Sequence, residues 1–197
     1  MINACLQFLL SQLNDYLALR IRTPFCCCPV HNGDGKWVTK PSLSVINIEE
    51  ERFTREQERV RMDKDFAVAQ FRQPPIKLNL QLLFAVPCNF SDLNPEATQK
   101  SYLENLELLS DVIAYFQAMP RFTADQYQAL AAADIQRITL ELLTLTPEQM
   151  NQIWSCIGTR YVPSAVYRLR LLQLASDLPS VDQPLVTSAT TVQEPAQ

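Results

Sequence analysis

The sequence predicts an α+β domain in which a mixed or antiparallel sheet is packed by two or three helices. Three observations support this fold class. Residues 76–86 alternate between apolar and polar side chains, residues 95–119 repeat with helical periodicity, and 47% of the 197 residues are apolar against 19% charged, which suffices for a buried core. We expect residues 1–175 to form this domain and residues 176–197 to form an extended polar tail.

The N-terminal segment is predicted to be an amphipathic helix that ends before Pro24, because a residue before proline disfavours helix. Its apolar residues recur at steps of three and four and therefore share one face: Ile2, Leu6, Leu9, Leu13 and Tyr16. A turn signal at residues 32–35 predicts a loose hairpin between residues 25–30 and 36–39. The β-branched segment 43–48 is predicted to be a strand.

A charge-dense segment follows that strand. Residues 49–72 contain 7 acidic and 6 basic side chains. This composition is typical of a solvated loop or a surface helix, and it also suits electrostatic docking of a neighbouring subunit. Three consecutive glutamates could suggest a divalent-cation site. Adjacent side chains at a strand end point to opposite faces, however, so at most two of these three carboxylates could bind the same ion. The candidate interface residues here are Glu49, Glu50, Glu51, Arg52, Arg55, Arg59 and Arg61.

The clearest strand signal lies at residues 76–86, where period two extends over eleven residues. Its odd-numbered positions also become apolar from Leu83 onwards, which predicts a strand end covered on both faces. The sequence places three of its leucines in the core: Leu78, Leu80 and Leu82.

A long helix is predicted from Asn94 as N-cap and Pro95 as first helical residue to a stop before Pro120. One buried stripe is expected on it, formed by Tyr102, Leu106, Leu109, Ile113 and Phe116.

Two strands and a short helix complete the domain. The segment around residues 137–142 alternates as a strand does, and Thr146 with Gln149 forms a capping box before a helix that Gly158 ends. Trp154 lies on the apolar face of that helix and is expected in the core. In the last strand Tyr167 is a core candidate, while the side chains on the opposite face are candidate interface residues: Arg168 and Arg170.

Composition argues against several classes of function. The chain has only 3 glycines and lacks a Gly-rich phosphate loop. It has a single histidine, which disfavours a His-dependent catalytic triad. Its net charge of −4, without a basic cluster, disfavours nucleic acid as a partner. We expect no enzyme activity and no cofactor.

The alternative is a small Cys-dependent enzyme or metal-binding domain. It would use three consecutive cysteines and a nearby histidine: Cys26, Cys27, Cys28 and His31. A second ligand pair at usable spacing is missing from the sequence, which disfavours a zinc site. The first residues lack a basic secretory n-region, and no segment is apolar enough for a membrane span, so a cytoplasmic protein without direct membrane insertion is expected.

Several blocks, in this order, resemble one known family: residues 42–52, 74–80, 83–85, 102–117, 122–123, 145–155 and 161–170. The most specific is Pro163-Ser164-x-x-Tyr167-Arg168 after the Trp-bearing helix. Together they resemble the cap, or tail-terminator, proteins of contractile injection systems, which are phage-tail-like particles of the virulence-cassette and antifeeding-prophage type.

The resemblance implies a structural role. Such a cap ends the inner tube and the sheath at the distal end of the particle and holds the sheath extended. It implies three partners, namely other copies in a hexameric ring, the tube protein and the sheath protein. We further expect the tail, residues 176–197, to extend across a neighbour, because this polar segment cannot bury enough surface on its own.

Overall fold

The computed structural model describes residues 1–30, 40–51, 60–63, 68–71, 77–87, 95–158, 161–173 and 181–184. Within these ranges the helices and strands follow one another along the chain as α1 (Ile2–Leu19), β1 (Cys26–Cys27), β2 (Ser42–Glu50), β3 (Val60–Asp63), β4 (Val68–Phe71), β5 (Lys77–Ala85), α2 (Pro95–Ala118), β6 (Arg121–Thr123), α3 (Gln128–Ala132), β7 (Ile135–Leu142), α4 (Pro147–Ile157), β8 (Ser164–Gln173) and β9 (Val181–Pro184).

The main sheet has six strands in the order β1-β2-β5-β8-β7-β6. The two-residue strand β1 runs parallel to β2, and the other neighbours are antiparallel. A second sheet has the order β3-β4-β9. The sheet is therefore mixed and the predicted α+β class is confirmed. The described residues contain four helices rather than two or three, because the poorly patterned Ala-rich segment forms the short helix α3.

Strand β5 lies between two hydrophobic cores. Leu80, Leu82 and Phe84 pack with α1, α2 and α3 in the larger core. Leu83 and Ala85 belong to the smaller core, with Trp154 of α4. All of these side chains are buried. Successive side chains of a strand point to opposite faces, so α4 packs on one face of the sheet and the other three helices pack on the opposite face.

The predicted core residues lie in these two clusters. Leu80, Leu82, Leu109, Phe116 and Tyr167 are buried in the larger one. Leu78 is partly buried against it.

Helix α4 begins and ends as its sequence predicts. The Thr146 hydroxyl accepts a hydrogen bond from the Gln149 backbone N–H, and the Gln149 side chain accepts one from the Thr146 N–H at 3.0 Å. Gly158 follows the helix in the left-handed region, with φ of 76°. Both ends are therefore fixed by local hydrogen bonds, and Trp154 is left 3% exposed in the smaller core.

Helix α1 ends in an unusual turn. The Arg22 N–H donates to the Leu17 carbonyl at 3.0 Å and the Ile21 N–H donates to the Ala18 carbonyl at 3.1 Å, which is the Schellman pattern. The position that glycine usually occupies in this pattern is taken by Ile21, with φ of 57°. A left-handed conformation is sterically costly for a β-branched residue.

Two arginines fasten this turn to α2. Arg20 Nη1 lies 2.7 Å from Asp111 Oδ1, and Arg22 Nε lies 2.9 Å from Asp111 Oδ2. Arg22 also pairs with Glu107 at 2.9 Å. The Asp111 side chain is 10% exposed, and a carboxylate that is this buried requires such partners. Removing either arginine would therefore cost more than the loss of a surface ion pair.

Three predicted segments form strand pairings that the sequence did not indicate. The charge-dense segment contains the strands β3 and β4 instead of being only loop or helix, since Val60 and Met62 alternate with charged residues there. Residues 26–27 pair in parallel with β2, whereas the predicted partner segment 36–39 lies outside the described residues. In the tail, Val181–Pro184 forms a strand that pairs with β4, and contact of the tail with a neighbour in the particle stays a prediction.

The predicted stripe on α2 is wrong in its first half. Tyr102 is 43% exposed and Leu106 is 36% exposed, and the burial begins at Leu108. Heptad-like spacing identifies which face of a helix packs against the core, but not how far along the helix this packing extends. The predicted buried stripe is therefore longer than the observed one.

The strained turn gives a stability prediction. Ile21→Gly should raise the free energy of unfolding by about 0.5–1 kcal/mol. Glycine avoids the steric cost of the left-handed conformation, which is ~1–2 kcal/mol, but its unfolded chain has more conformational entropy, which offsets part of this gain. Denaturant titration with an unchanged m value measures this. Asp134→Gly is the matched control, because Asp134 also follows a helix at positive φ (55°) but aspartate tolerates that region better. A loss of stability in Ile21→Gly would contradict the prediction.

Candidate interaction surface

The structure describes part of the predicted interface set. Glu49 and Glu50 end β2, and Glu51 follows it. Arg61 lies in β3, and the remaining members of the charge-dense group lie outside the described residues: Arg52, Arg55 and Arg59. Arg168 and Arg170 lie on β8, two strands away from the glutamates in the sheet order.

Strand register places the glutamate and arginine positions in the same rows across the sheet. Glu49 is opposite Asn79 on β5, and Asn79 is opposite Arg170 on β8. The neighbouring row joins Asn47, Gln81, Arg168 and Glu141 in the same way. Since neighbouring strands are about 4.8 Å apart, the backbones of Glu49 and Arg170 are about 10 Å apart. We call this two-row surface the polar face: Asn47, Glu49, Asn79, Gln81, Thr139, Glu141, Arg168 and Arg170.

Hydrogen bonds divide the polar face into an acidic and a basic half. On the β2 side, Glu49 Oε1 accepts from Asn47 Nδ2 at 2.6 Å and from Gln81 Nε2 at 3.4 Å, while Glu51 accepts from Asn79 Nδ2 at 3.2 Å. On the β8 side, one glutamate faces two arginines. Glu141 Oε2 lies 3.4 Å from Arg170 Nη2 and 3.9 Å from Arg168 Nη1. The β8 side of the polar face therefore has a net positive charge.

Such a face can bind a surface of mixed charge. Its ion pairs are long, and the side chains of Arg170 and Glu141 are 54% and 55% exposed. Exposed ion pairs of this kind contribute little to the stability of the fold. These side chains can therefore form ion pairs with a partner instead, at little cost in folding stability. Charged side chains at an interface determine the orientation and the rate of association more than its affinity.

A groove adjoins the polar face between β2 and α4. Its volume is about 620 Å³. The apolar lining includes Val30, Ile46, Ile153 and Ile157, and the polar rim is formed by Asn47, Gln81, Gln149 and Gln152. Cys156, which is exposed, also lines it. We call this concavity the groove.

Sequence reasoning missed two exposed apolar sites. Leu19 and Ile21 at the end of α1 are 86% and 95% exposed. Tyr102, Leu103 and Leu106 form the other site on α2. No sequence signal marks the second site, because its spacing suits a buried stripe. The first had one signal, a β-branched residue directly after the helix end where a glycine is expected.

Two of the three consecutive cysteines, Cys27 and Cys28, have thiols that are not activated as nucleophiles. Cys26 Sγ lies 3.0 Å from Cys28 Sγ. Burial raises the pKa of the Cys28 thiol to about 12, and its hydrogen bond with Cys26 adds to the rise. The pKa of Cys27 is also raised by burial. A thiolate nucleophile needs a lowered pKa, so Cys27 and Cys28 are poor candidates, and His31 lies outside the described residues.

Over the described residues, no group of three or more His, Cys, Asp or Glu side chains could hold a metal ion. No helix in the same part of the chain is long and apolar enough to cross a bilayer.

Comparison with known proteins gives a family match and structural relatives. The family model described as the Pvc16 N-terminal domain matches residues 8–188. The sheath/tube terminator of the extracellular contractile injection system PVC, in its extended state, has a similar fold with a TM-score of 0.53 at 15% identity. The tube-terminating cap of the anti-feeding prophage gives a TM-score of 0.48 at 14% identity. No curated protein matches.

The matched structures are longer than this chain. All of this chain aligns with 64% of the PVC terminator, and 91% of it aligns with 58% of the anti-feeding prophage cap. The chain thus spans less than two thirds of the length of each of these two structures.

The raised pKa of Cys28 gives a reactivity prediction. At pH 7.5 the Cys28 thiol should be protonated, so alkylation by iodoacetamide should be slow and should keep accelerating as the pH rises towards about 12. Peptide mapping by mass spectrometry measures the rate at each pH, with urea-unfolded protein as the control that restores an ordinary thiol. Rapid alkylation of folded Cys28 at pH 7 would contradict this and would favour a nucleophilic cysteine.

Proposed function

Because this chain belongs to the Pvc16 N-terminal domain family, we propose that it is a structural cap of a contractile injection system. The cap terminates the inner tube and the sheath at the distal end of the particle and stabilises the extended sheath. The single observation that carries this proposal is the family match over residues 8–188, and the fold shared with the PVC sheath/tube terminator supports it.

The partners follow from this role as parts of the same proposal. The chain binds the last layer of the tube protein and of the sheath protein, and it assembles as a hexameric ring that matches sixfold layers. A ring needs a heterologous contact whose rotation closes. Nucleic acid is not a partner, and the chain does not insert directly into a membrane. It is made in the cytoplasm and becomes part of the assembled particle.

We assign part of the ring or sheath contact to the polar face. Its two halves have opposite charge, Glu49 on one side and Arg170 on the other, and mixed surfaces of this kind pair without large net repulsion. The charge-dense group, including Arg55 and Arg59, belongs to the same contact in this proposal, on the strength of its composition.

A non-enzymatic role suits the chemistry of the described residues. The thiols of Cys27 and Cys28 have raised pKa values, and the ion pairs of Asp111 fasten α1 to α2 within the fold. Neither arrangement activates a nucleophile or positions an acid and a base around a substrate.

Deleting the chain tests the function. Particles made without it should have tubes of variable length and contracted or unstable sheaths, and plasmid-borne wild-type protein should restore a uniform length. Negative-stain electron microscopy gives the length distribution, and cryo-EM of the distal end gives the symmetry. Uniform, extended particles from the deletion strain would overturn the cap proposal, while a ring of another symmetry would overturn only the hexamer.

Charge reversal tests the polar face. Arg170→Glu should reduce the amount of this chain in purified particles at least tenfold, because it inverts the basic half, while it changes the free energy of unfolding by less than about 1 kcal/mol. Lys100→Glu on α2 is the matched control, since Lys100 is 79% exposed and reverses charge away from the polar face. Normal incorporation of Arg170→Glu, measured by quantitative immunoblot, would count against this contact.

A further inference from the structure

We propose that successive copies of this chain join head to tail, with the knob of one copy inserted into the groove of the next. The knob is Leu19 and Ile21 at the end of α1. This inference rests on the proposed ring and names the surface through which its subunits meet. The occupant of the groove is therefore a second copy of this chain.

The knob is costly and does not serve the core. Leu19 and Ile21 are the two most exposed large apolar side chains in the described part of the chain, at 86% and 95%. Ile21 is held at φ of 57°, where glycine would complete the same Schellman turn without strain. A strained residue that also exposes a large apolar side chain points to a role outside the monomer fold.

The turn is rigid, as a docking element should be. Arg20 and Arg22 on either side of Ile21 both bind the buried Asp111 carboxylate, at 2.7 and 2.9 Å. The Arg20 guanidinium also stacks over the Tyr16 ring, 4.8 Å from its centroid. The position of Ile21 is thus fixed before any partner binds, which lowers the entropic cost of association.

The groove has the size and lining that this knob needs. A dry cavity of about 150 Å³ holds a benzene molecule, so the groove, at about 620 Å³, has room for two branched aliphatic side chains. Ile46, Ile153 and Ile157 are only partly buried in the monomer and line it. Insertion of the knob would cover apolar surface on both partners.

The charges around the two surfaces are complementary. The Arg20 side chain is 51% exposed even with its Asp111 partner, and a guanidinium has five donors, most of which remain available. At the groove, Glu49 bonds the rim residue Asn47 at 2.6 Å. An arginine beside the knob therefore meets the Glu49 carboxylate next to the rim, which orients the contact.

The placement of the two surfaces makes the contact heterologous. Helix α1 packs on the face of the sheet that carries Leu82 and Phe84, whereas the groove borders α4 on the opposite face, over Leu83 and Ala85. One copy can therefore give its knob to one neighbour and receive a knob from another. Repetition of such a contact produces a closed ring when its rotation permits.

An engineered disulfide tests this contact, because Cys156 lines the groove. In a Cys27→Ser background, Ile21→Cys should cross-link neighbouring copies in purified particles after mild oxidation, giving a ladder of multimers on non-reducing gels. Adding Cys156→Ser should abolish the ladder. Gln117→Cys, at an exposed position of α2, is the matched control and should give at least tenfold less cross-linked product.

The outcomes separate this contact from the proposed function. If the chain is present in particles but Ile21→Cys forms no more product than Gln117→Cys, the knob contact is overturned and the cap role stands. If wild-type protein is missing from particles, the cap role fails, and the same cross-link on concentrated purified protein then decides the contact. A ladder that persists without Cys156 overturns the assignment of the groove.

A second variant separates assembly from folding. Ile21→Gly keeps the turn and removes the apolar side chain, so the variant should fold at least as well as wild type while its amount in particles falls at least tenfold. Asp134→Gly, which makes the same change at the other non-glycine position of positive φ among the described residues, should incorporate normally. Normal incorporation of Ile21→Gly would overturn the proposal.

Discussion

Strand β5 is the element on which both hydrophobic cores depend. It supplies Leu82 and Phe84 to one core and Leu83 and Ala85 to the other, and it bonds β2 on one side and β8 on the other. Because side chains alternate along a strand, a shift of its register by one residue would exchange the two sets and spoil both cores. The positions of α4 and α1, and hence of the groove and the knob, are all set by this register.

Local signals account for what the sequence predicted well. The alternation of residues 76–86 identified β5, and the apolar odd positions from Leu83 identified its doubly covered end. The capping box at Thr146 and the glycine at position 158 defined α4 to the residue. Each of these signals acts between residues that are close in the chain, so a single sequence contains it completely.

Features that depend on distant parts of the chain could not be predicted in the same way. The row from Glu49 to Arg170 exists only because β2, β5 and β8 are neighbours in one register, although both residues had been singled out by their charge. The exposure of Tyr102 depends on where the partners of α2 end. The pairing of residues 181–184 with β4 joins segments more than 100 positions apart, and nothing in the composition of the tail indicates it.

The strand order also has a consequence for synthesis of the protein. The second neighbour of β5 is β8, which begins at Ser164, 79 positions after β5 ends at Ala85. At translation rates of about 5–20 residues per second, roughly 4–16 s pass before β8 leaves the ribosome. During this interval the apolar edge of a β2–β5 hairpin lacks its partner, and such an edge is a site for non-native pairing. Folding of this domain is therefore a late event, completed only after β8 has emerged up to Gln173.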